Sequence, residues 1–385
     1  MVATLAAMPQ FELVEGVASL PPDEWNALVG SESPFLEWEW LASLEEAGAV
    51  GEACGWAPRP LVAREGGRLL AACPLYVKGH SEGEFVFDQG WADAAERAGI
   101  AYYPKLLVGV PFTPVAGNRF LVAADEDRER WIAGLAGALR ELCGGNGLSG
   151  VHVNFCREPE LPPVRDAGYL LRVGLQYHWH NADYAGFEDW LARFRSKRRN
   201  QIRRERRSLA DHDVCIRVLE GDDLGADHAE ALHRIYRATI DKNPWGRRYL
   251  NRRFFELLIE RFRHRLCVLL ATRGEELVAG TINVRKGDAL YGRYWGCLRE
   301  IPHLHFNLCY YAAIEHCIDQ GLQRFEPGAG GDYKQVRGFD AQPTYSLHYL
   351  ADPRLAQAVE RYLASEREDA RHTIEVLDRQ SALKR

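Results

Sequence analysis

The stretch FEPGAGGDYKQVRGF, residues 325–339, gathers a carboxylate, three closely spaced glycines, a lysine and an arginine. Gly328, Gly330 and Gly331 let backbone N–H groups approach an anionic or carbonyl group closely. Lys334 and Arg337 can hold a phosphate or carboxylate, the arginine in bidentate fashion. Glu326, at the end of the preceding strand, can take up a proton. A tight strand-to-helix turn would use the same glycines, and the pattern is neither a Walker A loop nor a G-x-G-x-x-G fingerprint. In LYGRYWG, residues 290–296, strict strand alternation places Tyr291, Arg293 and Trp295 on one face. Packing explains Trp295 well, whereas an arginine between aromatics is costly to bury without a partner. Arg293 and Tyr291 are therefore candidate site residues, Tyr291 as a proton donor to a leaving group.

Two His-x-His pairs, His178 with His180 and His303 with His305, invite a zinc reading. Zinc needs a third and usually a fourth ligand, and neither pair has a carboxylate or thiolate beside it in sequence. No metal is expected; His178, His180 and His305 read as hydrogen-bonding or substrate-contacting groups.

The most concentrated charge is RFRSKRRNQIRRERR, residues 193–207, with nine basic residues and one glutamate in a chain of net charge −6. A basic helix over 187–210 is expected, with Leu191, Phe194, Ile202 and Leu209 as a sparse apolar stripe. A solvated helix face usually mixes signs, and this one does not. Arg198, Arg199, Arg203 and Arg206 are neighbours on such a helix and can contact phosphates.

The elements around these residues follow from pattern. At 385 residues, with 46% apolar and 26% charged residues, the chain is long enough for two cores. Nine cysteines without a Cys-x-x-Cys pair read as reduced thiols. The longest apolar runs, such as LCVLLA at 266–271, are too short to span a bilayer. The N-terminal segment lacks the features of a signal peptide, so a cytoplasmic location is expected. Strands fit 59–65, 68–79 and 83–90, a helix fits 127–143, and the strand GVHVNFC precedes a proline-containing seam. The second half gives helices at 226–241 and 250–263, three consecutive strands from 265 to 297, and a helix at about 306–320 stopped by Gly321. The fold class is α+β, mainly antiparallel sheets flanked by helices, with domains at 1–170 and 171–385.

In that order, LYVKGHSEGEFVFDQGWADA, YYPKLLVGVPFTPVAGNRFL, QYHWHNADY, SKRRNQIRRERR, LYGRYWG, LHFNLCYY and FEPGAGGDYKQVRGF resemble the FemAB-like family of N-acyltransferases. These are relatives of the Fem aminoacyl transferases of peptidoglycan biosynthesis and of the GNAT acetyltransferases. The resemblance implies two tandem GNAT-like domains with a cleft between them, and acyl transfer to an amine. It also brings Lys105 and Thr113 forward as residues lining the acceptor side or shaping their loops. The chain departs from the family pattern at Gly330, Asp332 and Tyr333, and at Asn307, where relatives carry other polar residues.

An amine attacking an ester or thioester must be neutral, needs a donor for the carbonyl oxygen, and leaves an oxygen or sulfur that needs a proton. Glu326, Tyr291 and Lys334 are the expected catalytic groups, with Arg293, Arg337, His178, His180, His305, Lys105 and Thr113 as substrate contacts. There is neither a G-x-S-x-G elbow nor a Cys/His dyad. No tightly bound cofactor is implied. Aminoacyl-tRNA is the expected donor and an amine of a cell-wall precursor, peptide or small metabolite the acceptor. The glycine pattern of GNAT pyrophosphate loops is missing from CLREIPHLHFNL, which weakens the alternative donor, acyl-CoA. A non-catalytic RNA-binding protein on the same scaffold is the reading from another class.

Overall fold

The computed structural model of the chain describes residues 10–31, 33–242, 246–331 and 333–384. The extreme N-terminus, where a leader would stand, and Asp332 lie outside the described residues. The chain divides into two compact units, Met1–Val173 with Tyr345–Arg367, and Gly174–Thr344 with Glu368–Arg385. The sequence assigned everything after 170 to one domain; the fold instead returns Tyr345–Arg367 to the first unit.

The first unit runs β1 (Phe11–Leu13), α1 (Pro22–Val29), α2 (Trp38–Glu46), β2 (Trp56–Pro58), β3 (Leu61–Glu65), β4 (Arg68–Cys73) and β5 (Leu75–Lys78). It continues with α3 (Gln89–Arg97), β6 (Lys105–Val108), β7 (Leu121–Val122), α4 (Arg128–Gly145), β8 (Gly150–Cys156), α5 (Leu161–Asp166) and the start of β9 (Leu170–His180). One sheet has the order β1-β3-β4-β7, and a second places β8, β6, β5 and β2 side by side. Helix α4 starts where expected because the Asp127 carboxylate accepts from the Arg130 N–H at 3.1 Å, satisfying one of the helix's free donors. Its apolar face, Ile132, Leu135, Ala136, Leu139 and Cys143, packs into a core with Leu75, Leu106, Val108 and Val151.

The second unit takes the rest of β9, then α6 (Phe187–Ala192), α7 (Ser196–Arg207), β10 (Val214–Glu220), α8 (His228–Ile240), α9 (Arg252–Phe262), β11 (Leu266–Arg273), β12 (Glu276–Lys286) and β13 (Ala289–Cys297). After these come α10 (Leu304–Phe306), a π-helical turn (Asn307–Ala312), α11 (Ala313–Asp319), β14 (Arg324–Glu326) and the first half of β15 (Asp340–Leu350), whose residues from Tyr345 belong to the first unit, as does α12 (Pro353–Arg379) up to Arg367; the end of α12 returns to the second unit. Strands β10 to β13 form an antiparallel run; β14 joins β13 in parallel and β9 antiparallel. Gly280 and Gly296 are register partners on β12 and β13. A Cβ at Gly296 would stand 1.9 Å from the Ile235 carbonyl oxygen of α8, so glycine there is what lets the helix lie flat on the sheet.

The basic helix is shorter than expected. Arg195 has extended backbone, φ −62° and ψ 149°, and Phe194 forms a bridge with Leu383, so 187–210 is two helices around a break at 193–195. The apolar stripe holds nonetheless: Leu191, Phe194, Ile202 and Leu209 are all buried.

A buried ionic cluster sits within the first unit. Lys105 Nζ donates to Ser81 Oγ at 2.8 Å, Glu84 Oε2 at 3.0 Å and Asp88 Oδ2 at 2.5 Å. Lys78 lies 3.8 Å from Glu84 and over the Trp56 ring at 3.6 Å. Burial moves Lys78 down to about 7 and Glu84 up to about 7. Asp88 falls to about 2, because Lys105 and His152 outweigh the burial that alone would raise it. Lys105 is wholly enclosed, so the residue expected to line the acceptor side fixes the 81–88 loop instead. Thr113 is likewise buried, its hydroxyl donating to the Pro111 carbonyl at 2.9 Å. Removing one member of such a cluster strands its partners without water or countercharge. Lys105→Met is expected to destabilise the unliganded protein by about 3–5 kcal/mol, read as a lower melting temperature; an unchanged melt would show that Lys105 does not carry the loop.

Candidate active site in the second unit

Strands β13 and β14 run side by side only through Ala289–Tyr291 and Arg324–Glu326. Pro327 follows at once, and without an N–H it cannot extend the ladder. β13 continues to Cys297 against β12 alone, and there it carries one extra residue. Tyr294 pairs with Ile282 and Gly292 with Asn283, leaving Arg293 as a bulge. A bulge re-aims its side chain and inverts the alternation beyond it. Trp295 accordingly meets His305 at 5.1 Å, and Tyr294 meets Tyr236 of α8 at 5.2 Å. The expected shared face of Tyr291, Arg293 and Trp295 is corrected by that extra residue.

A cavity of about 270 Å³ opens where the two strands part. Thr281, Asn283, Arg293, His305, Tyr310 and Lys334 are among its lining residues, all from the second unit. The backbones come close at its floor: a Cβ at Gly292 would lie 3.2 Å from Pro327 backbone atoms. Gly328 has φ +90°, a conformation that L side chains rarely adopt.

Lys334 is only 3% exposed, and its Nζ donates to the Gly328 carbonyl. Burial pulls its pKa down to about 8, opposed by Cys309. His305 is driven to about 4 by burial, with Arg337 and Lys334 adding to the shift. It is therefore a neutral imidazole at physiological pH. The cavity wall thus combines a weakened ammonium, a guanidinium, a neutral imidazole and the amide and hydroxyl of Asn283 and Thr281. Asn283 is fixed by donating to the Cys267 carbonyl at 3.0 Å and Thr281 Oγ1 at 3.1 Å.

Glu326, Tyr291 and His178 are brought together, but outside that lining. Glu326 Oε1 lies 3.0 Å from Arg324 Nε, and its Oε2 lies 3.7 Å from His178 Nε2. Arg324 also donates to the Tyr291 hydroxyl at 2.9 Å. His180 sits opposite Arg324 in the register, its pKa lowered chiefly by burial. Glu326 is 4% exposed and engaged by Arg324, a geometry unlike that of a general base facing the cavity.

Arg337 is committed elsewhere. Its Nε donates to the Tyr311 hydroxyl at 2.9 Å, its Nη2 lies 3.2 Å from Glu205 Oε2, and the guanidinium stacks 3.4 Å over Phe306. Glu205, the one acid of the basic segment, also accepts from Tyr311 and from Gln201 Nε2 at 2.8 Å. Asn307 Nδ2 donates to the Glu205 carbonyl at 2.9 Å, tying α7 to the π-helical turn. Arg337 thus ties the glycine-rich loop to α7 and the π-helical turn. Along α7, Arg203 pairs with Glu188 at 2.5 Å and Arg206 with Glu315 at 2.7 Å. Arg198 donates to Gln201 at 2.9 Å and Arg199 to Ser196 at 3.5 Å. These partners sit at or near the surface, where such pairs are weak.

Of the expected site residues, the fold gathers Arg293, His305 and Lys334 at one cavity and sends Glu326, Tyr291, His178 and His180 to a neighbouring cluster. Sequence reasoning missed Thr281, Asn283 and Tyr310. The one trace of the first two was a polar pair interrupting the apolar run of β12. Among the described residues, metal-competent side chains meet as Glu220, Cys267 and His316 rather than at either His-x-His pair.

The same architecture occurs in FemX, at 10% identity and TM-score 0.55, covering 89% of this chain and 98% of that one. It occurs also in L-PGS from Bacillus licheniformis, at 10% identity and TM-score 0.54, covering 90% and 97%. These likenesses establish the tandem GNAT-like α+β fold. No curated protein sequence matches the chain. The profile of the FemAB-like family, described as peptidoglycan biosynthesis/recognition, matches residues 16–385, and with that span the chain belongs to the FemAB-like family.

Proposed function

We propose that the cavity of the second unit is an N-acyl-transfer site, passing an acyl group from an aminoacyl-tRNA to an amine of a cell-wall precursor, peptide or small metabolite. The observation that carries this reading is Lys334, a buried ammonium at the cavity wall held by the Gly328 carbonyl and weakened to about 8 by burial. The neutral acceptor amine attacks the ester carbonyl, forming the C–N bond, while Lys334 donates to the oxygen that gains charge. As the C–O bond to the tRNA breaks, Lys334 gives its proton to the leaving oxygen and recovers one from the nitrogen of the new amide. Arg293 holds an anionic portion of a substrate, and His305, neutral and apolar-packed, shapes the wall. The family's link to peptidoglycan favours a cell-wall amine as acceptor.

The junction between β13 and α10 favours tRNA over acyl-CoA. A cavity of about 470 Å³ there is lined by Glu300, His303, His305 and apolar residues, with no Lys or Arg among its described lining residues. A pyrophosphate would find little countercharge in it, whereas α7 offers an extended basic surface. An open cavity with two basic groups at its wall also supports an enzyme over a scaffold that only binds RNA.

Lys334→Met is expected to lower kcat on the order of 10²–10³-fold, as for loss of a donor to a developing oxyanion. The folded pKa lies below the unfolded 10.5, so burying the ammonium costs stability at neutral pH, and that cost fades as pH rises from about 8 towards 10.5. The variant should consequently melt no lower than wild type at pH 7. Wild-type kcat should fall above about pH 8 as the ammonium is lost, and the limb should be absent in Lys334→Arg. Full activity in Lys334→Met under single-turnover conditions would refute the role.

The donor is tested through α7. Replacing Arg198, Arg199, Arg203 and Arg206 together with glutamine should flatten the salt dependence of aminoacyl-tRNA binding by about one log–log unit for each phosphate no longer engaged. The thermal melt should stay near wild type, because the buried stripe and Glu205 are untouched. An unchanged slope would leave α7 as a solvated face and return acyl-CoA as the donor.

A further inference from the structure

Glu220 at the end of β10 and Cys267 on β11 are cross-strand partners, and His316 of α11 reaches the same point. Their ligand atoms all lie within 4.8 Å of one another. Neither His-x-His pair has a carboxylate or thiol beside it in sequence; this trio, drawn from three distant stretches of sequence, brings both to one histidine. Cys267 is fully buried and His316 is 9% exposed. His316 Nε2 stands 3.3 Å from Glu220 Oε1 yet makes no hydrogen bond of ordinary geometry. With bonds of about 2.0 Å to nitrogen and oxygen, tetrahedral zinc separates two such ligands by about 3.3 Å. A cavity of about 280 Å³ has Glu220 among its lining residues.

We propose that Glu220, Cys267 and His316 form a three-ligand site for a Zn²⁺-class ion, with water from the adjoining cavity as fourth ligand. Thiolate, imidazole and carboxylate together suit zinc and disfavour Mg²⁺ or Ca²⁺. Arg285 Nη1 lies 3.6 Å from the Glu220 oxygen. It competes for that carboxylate, and its side chain, 34% exposed, can turn into solvent when the ion enters. Binding breaks the Cys267 S–H bond, forms a metal–sulfur bond and releases one proton to water, so affinity rises with pH. The ion joins the edge strand, its neighbour and α11. It also braces the catalytic cavity, because the Cys267 carbonyl accepts from Asn283 of the cavity wall.

The competing arrangement is metal-free, with the carboxylate accepting protons from thiol and imidazole. Titrating the metal-stripped full chain with Co²⁺ separates the two. One equivalent should bind with tetrahedral d–d bands and a thiolate-to-cobalt charge-transfer band, and Zn²⁺ should abolish both spectra. Cys267→Ser should lose the charge-transfer band, His316→Gln should weaken Co²⁺ at least ~100-fold, and Cys143→Ser should behave as wild type. Zn²⁺, but not Mg²⁺, should raise the melting temperature of wild type and of Cys143→Ser alone. Should Cys267→Ser fail to fold, His316→Gln carries the comparison. Absence of the charge-transfer band in wild type, its survival in Cys267→Ser, or an undiminished Co²⁺ affinity in His316→Gln would overturn the site.

Discussion

The pairing of Glu205 with Arg337 organises the second unit. Both side chains are 3% exposed, and a buried charge without its partner costs several kcal/mol. Glu205 can be buried only where Arg337 and Tyr311 meet it, which pins α7 to the far end of the glycine-rich loop. The single acid in a run of arginines therefore decides the placement of the whole basic surface. The other partners, Gln201 and the Asn307 amide, hold the helix and the π-helical turn in the same knot. Breaking it would free the loop that carries Lys334, three residues before Arg337.

From that anchor the cavity follows by a short chain of causes. Pro327 stops the β13–β14 ladder, the Arg293 bulge turns the continuing strand, and glycines at 292 and 328 let the two backbones pass at contact distance. Lys334 then enters a space where it donates to a carbonyl rather than to a carboxylate. Its lowered pKa arises from burial, and proton transfer near neutral pH becomes accessible to a residue that in water would hold its proton to about 10.4. The first unit shows the opposite solution: Lys105 is as deeply buried, but two carboxylates keep it charged and inert.

Strand and helix periodicity carried much of the architecture, because the apolar faces of α4, α9 and β11 are regular and end in clear glycine or capping signals. Arg293, His305 and Lys334, which line one cavity, were legible as candidates because polar groups amid aromatic or glycine-rich sequence have few idle uses. The placement of Tyr291 and Glu326 was not, since one inserted residue in β13 inverts the side-chain phase and no local signal announces a bulge. Arg337 and Lys105 looked like substrate contacts for the same reason: a lone basic residue in a motif does not reveal which distant acid it will meet. Glu220, Cys267 and His316 were invisible as a group, being joined only by the pairing of β10 with β11 and the return of α11.

The acyl transfer proposed for this cavity rests on a lysine whose charge is weakened by the place where the loop holds it. The most direct test is the pH dependence of trace acetylation of Lys334 in the intact chain, followed at the level of its peptide by mass spectrometry. Reactivity titrating near pH 8 is the predicted result. A titration at the ordinary lysine value of about 10.4 would contradict the burial of the ammonium and, with it, the acyl-transfer site built on it.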